Sequence, residues 1–196
     1  MTGFVDPVVL TGERWVSLEP LTAGHVPEIA TAAADGDPGK LWFTAAPSPE
    51  TAGQWVDLRL AVQSPATGLT FVARDMAGAV VGSSSYLNVD PPNRRLEIGS
   101  TWFSDSVRRT GVNTEAKLLM LGHAFGQLNC VAVEFRTHFM NRTSRAAIER
   151  LGAKLDGVLR SHQLLPDGSR RDTVVYSILD VEWPAVRNNL RFRLGG

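Results

Sequence analysis

Beyond Pro65 the sequence changes period, and this change restricts the available folds more than any other feature of the chain. Apolar residues follow strand spacing over 69–74, 80–87 and 94–103, and the segments between them, DMAG and DPPN, consist of turn formers. Three strands joined by tight turns form an antiparallel meander. A helical period takes over at 112–128, with Leu118, Leu121, Phe125 and Leu128 expected on its buried face. Upstream, a strand at 15–21 feeds a helix marked by Val26, Ile29, Ala30 and Ala33, with Pro27 in its first turn. A second helix is expected from Ser48 as N-cap and Pro49 at N1, through Trp55, Leu58, Arg59 and Val62. Downstream come a strand at 131–136, a short helix capped by Asn141 and stopped by Gly152, and two strands around the PDGS turn at 166–169. A tail helix follows over about 183–194.

The result is a mixed α+β chain in a single domain over 1–196, since this length suits one core and no linker or repeat divides it. Lys plus Arg and Asp plus Glu number 20 each, so no net field draws the chain to nucleic acid or an anionic membrane. Cys130 is the only cysteine, which removes internal disulfides and multi-cysteine metal sites and points to a reducing cytoplasm. His25, His123, His138 and His162 lie on separate elements without zinc-ligand spacing, so no metal is expected. No leader pattern or spanning apolar run is evident, and GxSxG and Walker motifs are missing.

The chemistry concentrates in 94–116, RRLEIGSTWFSDSVRRTGVNTEA, where a strand ends in a polar loop that opens directly into the long helix. A helix N-terminus offers unpaired amides and a partial positive charge, which a pyrophosphate requires, and Arg108 and Arg109 add full charges. Gly111 is expected to allow a close backbone approach that a Cβ would block. Taken alone, the same residues also read as a solvated basic turn.

RRTGVN resembles the Q/R-x-x-G-x-G/A loop with which the GNAT superfamily of acetyltransferases holds the pyrophosphate of coenzyme A. The EIG strand at 97–99, TEA at 114–116, NRTS at 141–144 and RLGA at 150–153 match in order, most closely to the RimJ/RimL-like ribosomal-protein branch, over about 12–182. The resemblance implies a GNAT fold: a mixed, mostly antiparallel sheet of about seven strands, splayed at the fourth and fifth, with about four helices plus the C-terminal helix. It implies acetyl-CoA as co-substrate, held by Trp102, Phe103, Arg108, Arg109, Thr110, Gly111, Val112, Asn113, Thr114, Asn141 and Ser144. Asn113 stands where the family has Gly or Ala, so it either bonds a phosphate or narrows the cradle.

By the same resemblance the reaction is direct transfer to a neutral primary amine, for which a base is useful. Glu97 is the candidate; its other reading is a strand carboxylate paired with Arg94 or Arg95. The tyrosine acid of many family members is replaced by Ile148, and Ser144 is the substitute implied by N-x-x-S, unless it only completes the Asn141 cap. Leu41-Trp42-Phe43 is too apolar for a plain loop, and Trp42, Phe43, Tyr86 and His138 are candidate acceptor contacts. The hairpin over 162–171 is expected to suit an uncharged or aromatic acceptor. The acceptor, a protein N-terminus or a small-molecule amine, stays open, as does a non-catalytic acyl-CoA-binding module. The apolar tail helix and the tryptophans allow a homodimer as readily as ordinary core packing.

Overall fold

The computed structural model describes residues 3–36, 42, 44 and 46–195. Along the chain lie β1 (Leu10–Thr11), β2 (Val16–Pro20), α1 (Val26–Ala34), α2 (Ala52–Ala61), β3 (Leu69–Asp75), β4 (Val80–Asp90), β5 (Arg95–Phe103) and α3 (Val112–Gly126). They are followed by β6 (Ala132–His138), α4 (Arg142–Leu151), β7 (Lys154–Leu164), β8 (Arg170–Leu179) and α5 (Trp183–Arg193). One sheet holds the strands in the order β1-β2-β3-β4-β5-β6-β8-β7, antiparallel throughout except for β5 with β6. The expected meander is β3-β4-β5. An eighth strand joins the expected seven because the short β1 pairs with β2, Leu10 opposite Leu18.

Helices cover both faces of the sheet. On one face α3, α4 and α5 bury Leu96, Ile98, Phe103, Val133, Phe135, Val174, Tyr176 and Ile178. On the other, α1 and α2 cover Val72, Val80 and Trp102. The second helix starts later than its sequence implies. Ser48 Oγ donates to Glu50 Oε2 at 2.7 Å and the Thr51 amide to the Ser48 carbonyl at 3.2 Å, closing a turn that delays the helix to Ala52. The buried stripe of α3 is also rotated from the expected one. Val112, Ala116, Met120, Leu121 and Ala124 face the sheet, whereas Leu118, Phe125 and Leu128 are half-buried at the rim. There Phe125 stacks on Trp183 of α5, ring centroids 5.5 Å apart, so a second helix provides the apolar partner for this side of α3. Glu115 ties α3 to the first hairpin. Its carboxylate accepts the amides of Glu13, Arg14, Trp15 and Val16 at 2.6–3.2 Å, which gives the TEA segment a structural role.

One irregularity positions the site. Ser83 pairs with Trp102 and Ser85 with Gly99, so Ser84 alone on β4 lies opposite both Ser100 and Thr101 on β5. This is a bulge, and Ser100 adopts φ 47° there. The parallel pairing of β5 with β6 runs only from Arg95–Ala132 to Glu97–Glu134. Beyond Glu97 the strands diverge, leaving the edge of β5 from Ile98 to Phe103 without a strand partner on the β6 side among the described residues.

Candidate active site

Where β5 ends, the chain turns through Asp105–Val107 and enters α3 at Val112. The first bond of the helix runs from the Glu115 amide to the Gly111 carbonyl at 2.8 Å. Among the described residues the amides of Gly111, Asn113 and Thr114 have no acceptor, so a turn of donors faces outward at the positive end of a helix. Beside it lies a cavity of about 430 Å³ lined by Trp15, Arg109, Thr110, Gly111, Thr114, Arg193 and Leu194. Free amides, two arginines and a hydroxyl around one cavity fit a diphosphate.

The loop residues do not contribute alike. Arg109 lines the cavity and takes the left-handed φ of 62°. Gly111 has an ordinary φ of −73°; its need for glycine lies elsewhere, since a Cβ would overlap the Trp15 indole. Thr110 closes the turn by donating to the Val107 carbonyl at 2.6 Å. Arg108 pairs with Asp105, the Val112 side chain enters the core, and Asn113 is not part of the cavity wall. Arg193 joins the cavity from the end of α5, about eighty residues away in sequence, with no local signal that could have announced it.

Glu97 lies on the other face of the sheet from α3, at the last paired position before the gap. It is 6% exposed. Asn88 Nδ2 donates to its Oε2 at 2.7 Å and Arg136 Nε stands 3.6 Å away. Burial pushes the carboxyl above its ordinary range, opposed by the Asn88 hydrogen bond and the Arg136 charge. The alternative pairing with Arg94 or Arg95 does not occur; Arg95 bonds Glu134 at 2.7 Å instead. The EIG pattern gains a reason, because a Cβ at Gly99 would stand 2.7 Å from Glu97 Oε1.

At the far side of the gap β6 ends at His138, and Asn141 caps α4, its Oδ1 accepting the Ser144 amide at 3.0 Å. Ser144 sits half-buried in that first turn. His138 is buried, its Nδ1 accepts the Met140 amide at 3.0 Å, and Trp42 meets it edge-on at 5.0 Å. Burial, and then the Arg171 charge, hold the imidazole below its ordinary pKa. Phe43 and Leu41 lie outside the described residues.

Tyr86 does not reach this region. It is fully buried on the α3 side, donates to the Met120 carbonyl at 2.7 Å and stacks with His123, so it is a core residue and not an acceptor contact. Trp102 and Phe103 also spend their side chains on packing, Trp102 against Trp55 and Phe103 in the α3 core; only their backbone borders the gap. The other tyrosine, Tyr176 on β8, donates to Glu149 Oε1 at 2.7 Å and accepts from Arg145 Nε at 3.2 Å, pinning α4 to the sheet around Ile148.

Lys117 was not expected inside. It is 4% exposed and extends from α3 to the bulge, donating to Ser84 Oγ at 2.8 Å and Thr101 Oγ1 at 2.7 Å, with no carboxylate paired to it among the described residues. Burial lowers its pKa to about 7.

Residues 16–154 match the family described as Acetyltransferase (GNAT) domain. A crystal structure of a GCN5-related N-acetyltransferase from Brucella melitensis is 31% identical, with a TM-score of 0.87 over 99% of this chain and 89% of that one. Mycobacterium smegmatis RimJ in complex with CoA-disulfide is 21% identical and shares the fold, TM-score 0.80, over 98% and 97% of the two chains. A Bacillus subtilis (strain 168) protein named "Putative ribosomal N-acetyltransferase YdaF" is 34% identical over 106 residues, 54% of this chain. That match spans 57% of the curated relative's length. With the splayed parallel pair, the helix-start cradle and these likenesses together, the chain belongs to the GNAT acetyltransferase domain family.

Proposed function

We propose that this protein is an acetyl-CoA-dependent N-acetyltransferase that transfers the acetyl group directly to a primary amine. The observation that carries the reading is the gap between β5 and β6, which opens just beyond the buried Glu97 on the strand that leads into the helix start with free amides. The cofactor's pyrophosphate is assigned to the amides of Gly111, Asn113 and Thr114, with Arg109 and Arg193 supplying charge. When bound, acetyl-CoA supplies an activated thioester. The unpaired edge of β5 offers backbone groups to the pantetheine, much as a missing strand would accept them.

Glu97 takes the proton from the acceptor ammonium, directly or through one water, leaving a neutral amine at the mouth of the gap. Its raised pKa suits this task better than an ordinary glutamate, since a stronger base retains the proton while the amine attacks. Ser144 is the assigned donor to the departing sulfur: its amide is committed to Asn141, while its hydroxyl has no partner among the described residues. RimJ/RimL-type protein N-termini and small-molecule amines remain the two acceptor groups to compare. Coenzyme A release measured across N-terminal peptides, polyamines and aminoglycoside-like amines tests the reading. Turnover that falls in Glu97→Gln while acetyl-CoA affinity holds supports it. Tight acetyl-CoA binding without turnover on any amine would establish a binding module instead.

A further inference from the structure

Of Arg95, Arg136, Arg160 and Arg171 on strands β5 to β8, three are neutralised by carboxylates. Arg95 and Arg136 both bond Glu134, at 2.7 and 2.8 Å, and Arg160 bonds Asp172 at 2.6 Å. Arg171 is the exception. It is half-buried, and no carboxylate among the described residues lies within ion-pair distance of it.

Its placement is nevertheless fixed. Nε donates to Thr173 Oγ1 at 3.1 Å, and that buried hydroxyl is also 3.0 Å from His162 Nδ1 on β7. Thr173 lies two residues along β8 and opposite His138 on β6, so this bond lays the arginine back along the sheet toward the gap. Glu97 and His138 both feel its charge. Its two terminal nitrogens make no hydrogen bond among the described residues. An arginine held by Nε alone, partly desolvated and with no carboxylate at ion-pair distance among the described residues, presents its terminal fork to an anion.

From this geometry we infer that Arg171 is an acceptor-recognition residue and that the preferred acceptor carries a carboxylate close to its reacting amine. This replaces the uncharged or aromatic acceptor expected from the hairpin sequence. The inference rests on the reading that Glu97 faces the acceptor amine. Arg171 takes the carboxylate while Glu97 takes the ammonium proton, so one end of the acceptor is anchored and the other is activated. A lone guanidinium near Glu97 also repels an acceptor that brings only positive charge, which disfavours polyamines.

Two sources of such a carboxylate are separable: an acidic side chain near a peptide N-terminus, or the α-carboxylate of a free amino acid. The test compares Ser-Asp-Ala-amide with Ser-Asn-Ala-amide, and serine with serinamide, in coenzyme A release. It also measures binding of each probe to the wild-type protein saturated with coenzyme A. In at least one pair the acid should have a KM and a dissociation constant about tenfold or more below its amide. Arg171→Gln should erase that difference between acid and amide while acetyl-CoA binding holds, and Arg171→Lys should partly restore it. Binding that depends on Arg171 without turnover would overturn the transferase reading but retain the anion site. Equal affinity for acid and amide in both pairs, or a preference that survives Arg171→Gln, would overturn the inference.

Discussion

Lys117→Met removes a buried amine while keeping a flexible chain of similar length. In the wild-type protein burial lowers the lysine from its ordinary 10.5 to about 7. Between those values the unfolded chain holds a proton that the folded protein does not, so raising the pH through this window stabilises the native state. The slope approaches about 1.4 kcal/mol per pH unit, and half-titration near pH 7 leaves about 2 kcal/mol gained between pH 7 and 9. Lys117→Met has no such group, and Ser84 Oγ and Thr101 Oγ1, 2.7 Å apart, still bond each other. Urea unfolding followed by tryptophan fluorescence at pH 7 and 9 should therefore show wild type gaining about 2 kcal/mol relative to the variant. Cys130, which burial raises to about 11, titrates alike in both proteins and cancels from the comparison. Parallel changes in the two proteins would mean that Lys117 is charged when folded, and the reasoning would fail.

Glu97→Gln should lower kcat by about 10²- to 10⁴-fold and abolish the acidic limb of the pH–rate profile, which in wild type lies above the ordinary carboxylate range. An unchanged profile in stopped-flow coenzyme A release would remove Glu97 from the chemistry. Glu115→Gln keeps one acceptor oxygen for four amides and should cost about 2–4 kcal/mol in denaturant unfolding, with early loss of protection at Glu13 to Val16 in hydrogen exchange. Gly111→Ala should displace Trp15 and weaken acetyl-CoA binding about tenfold by calorimetry, whereas an unaltered affinity would place the cradle elsewhere. Tyr86→Phe should cost about 1 kcal/mol of stability through the lost Met120 bond and leave acceptor KM unchanged.

The meander and the start of α3 were legible because each is written locally, in turn formers on one side and an abrupt change of period on the other. The facing of β4 was not. Val80 to Tyr86 are all buried, so the strand lacks the alternation that would reveal which face Tyr86 takes. Lys117 reads from sequence as a solvated helix residue, and only the bulge beneath it, with two hydroxyls in reach, explains its burial. The cradle loop was recognisable as a motif, but the division of labour within it also depends on Trp15 and Arg193, which local sequence does not place beside it. Arg171 gave no signal because its distinction, no carboxylate at ion-pair distance among the described residues, is not written in local sequence.

The extra residue in β5 reverses the parity of that strand. Leu96 and Ile98 point to the α3 side, and so do Thr101 and Phe103, although a regular strand would have turned Trp102 that way. Straightening the bulge with Ser100 kept in the chain would impose one phase along the whole strand. Trp102 would then be driven from Trp55 into the space now occupied by Phe103, and Thr101 would be withdrawn from Lys117. The opening in the sheet is thus locked into the order of the residues, because closing it by realignment would turn two well-packed half-cores inside out.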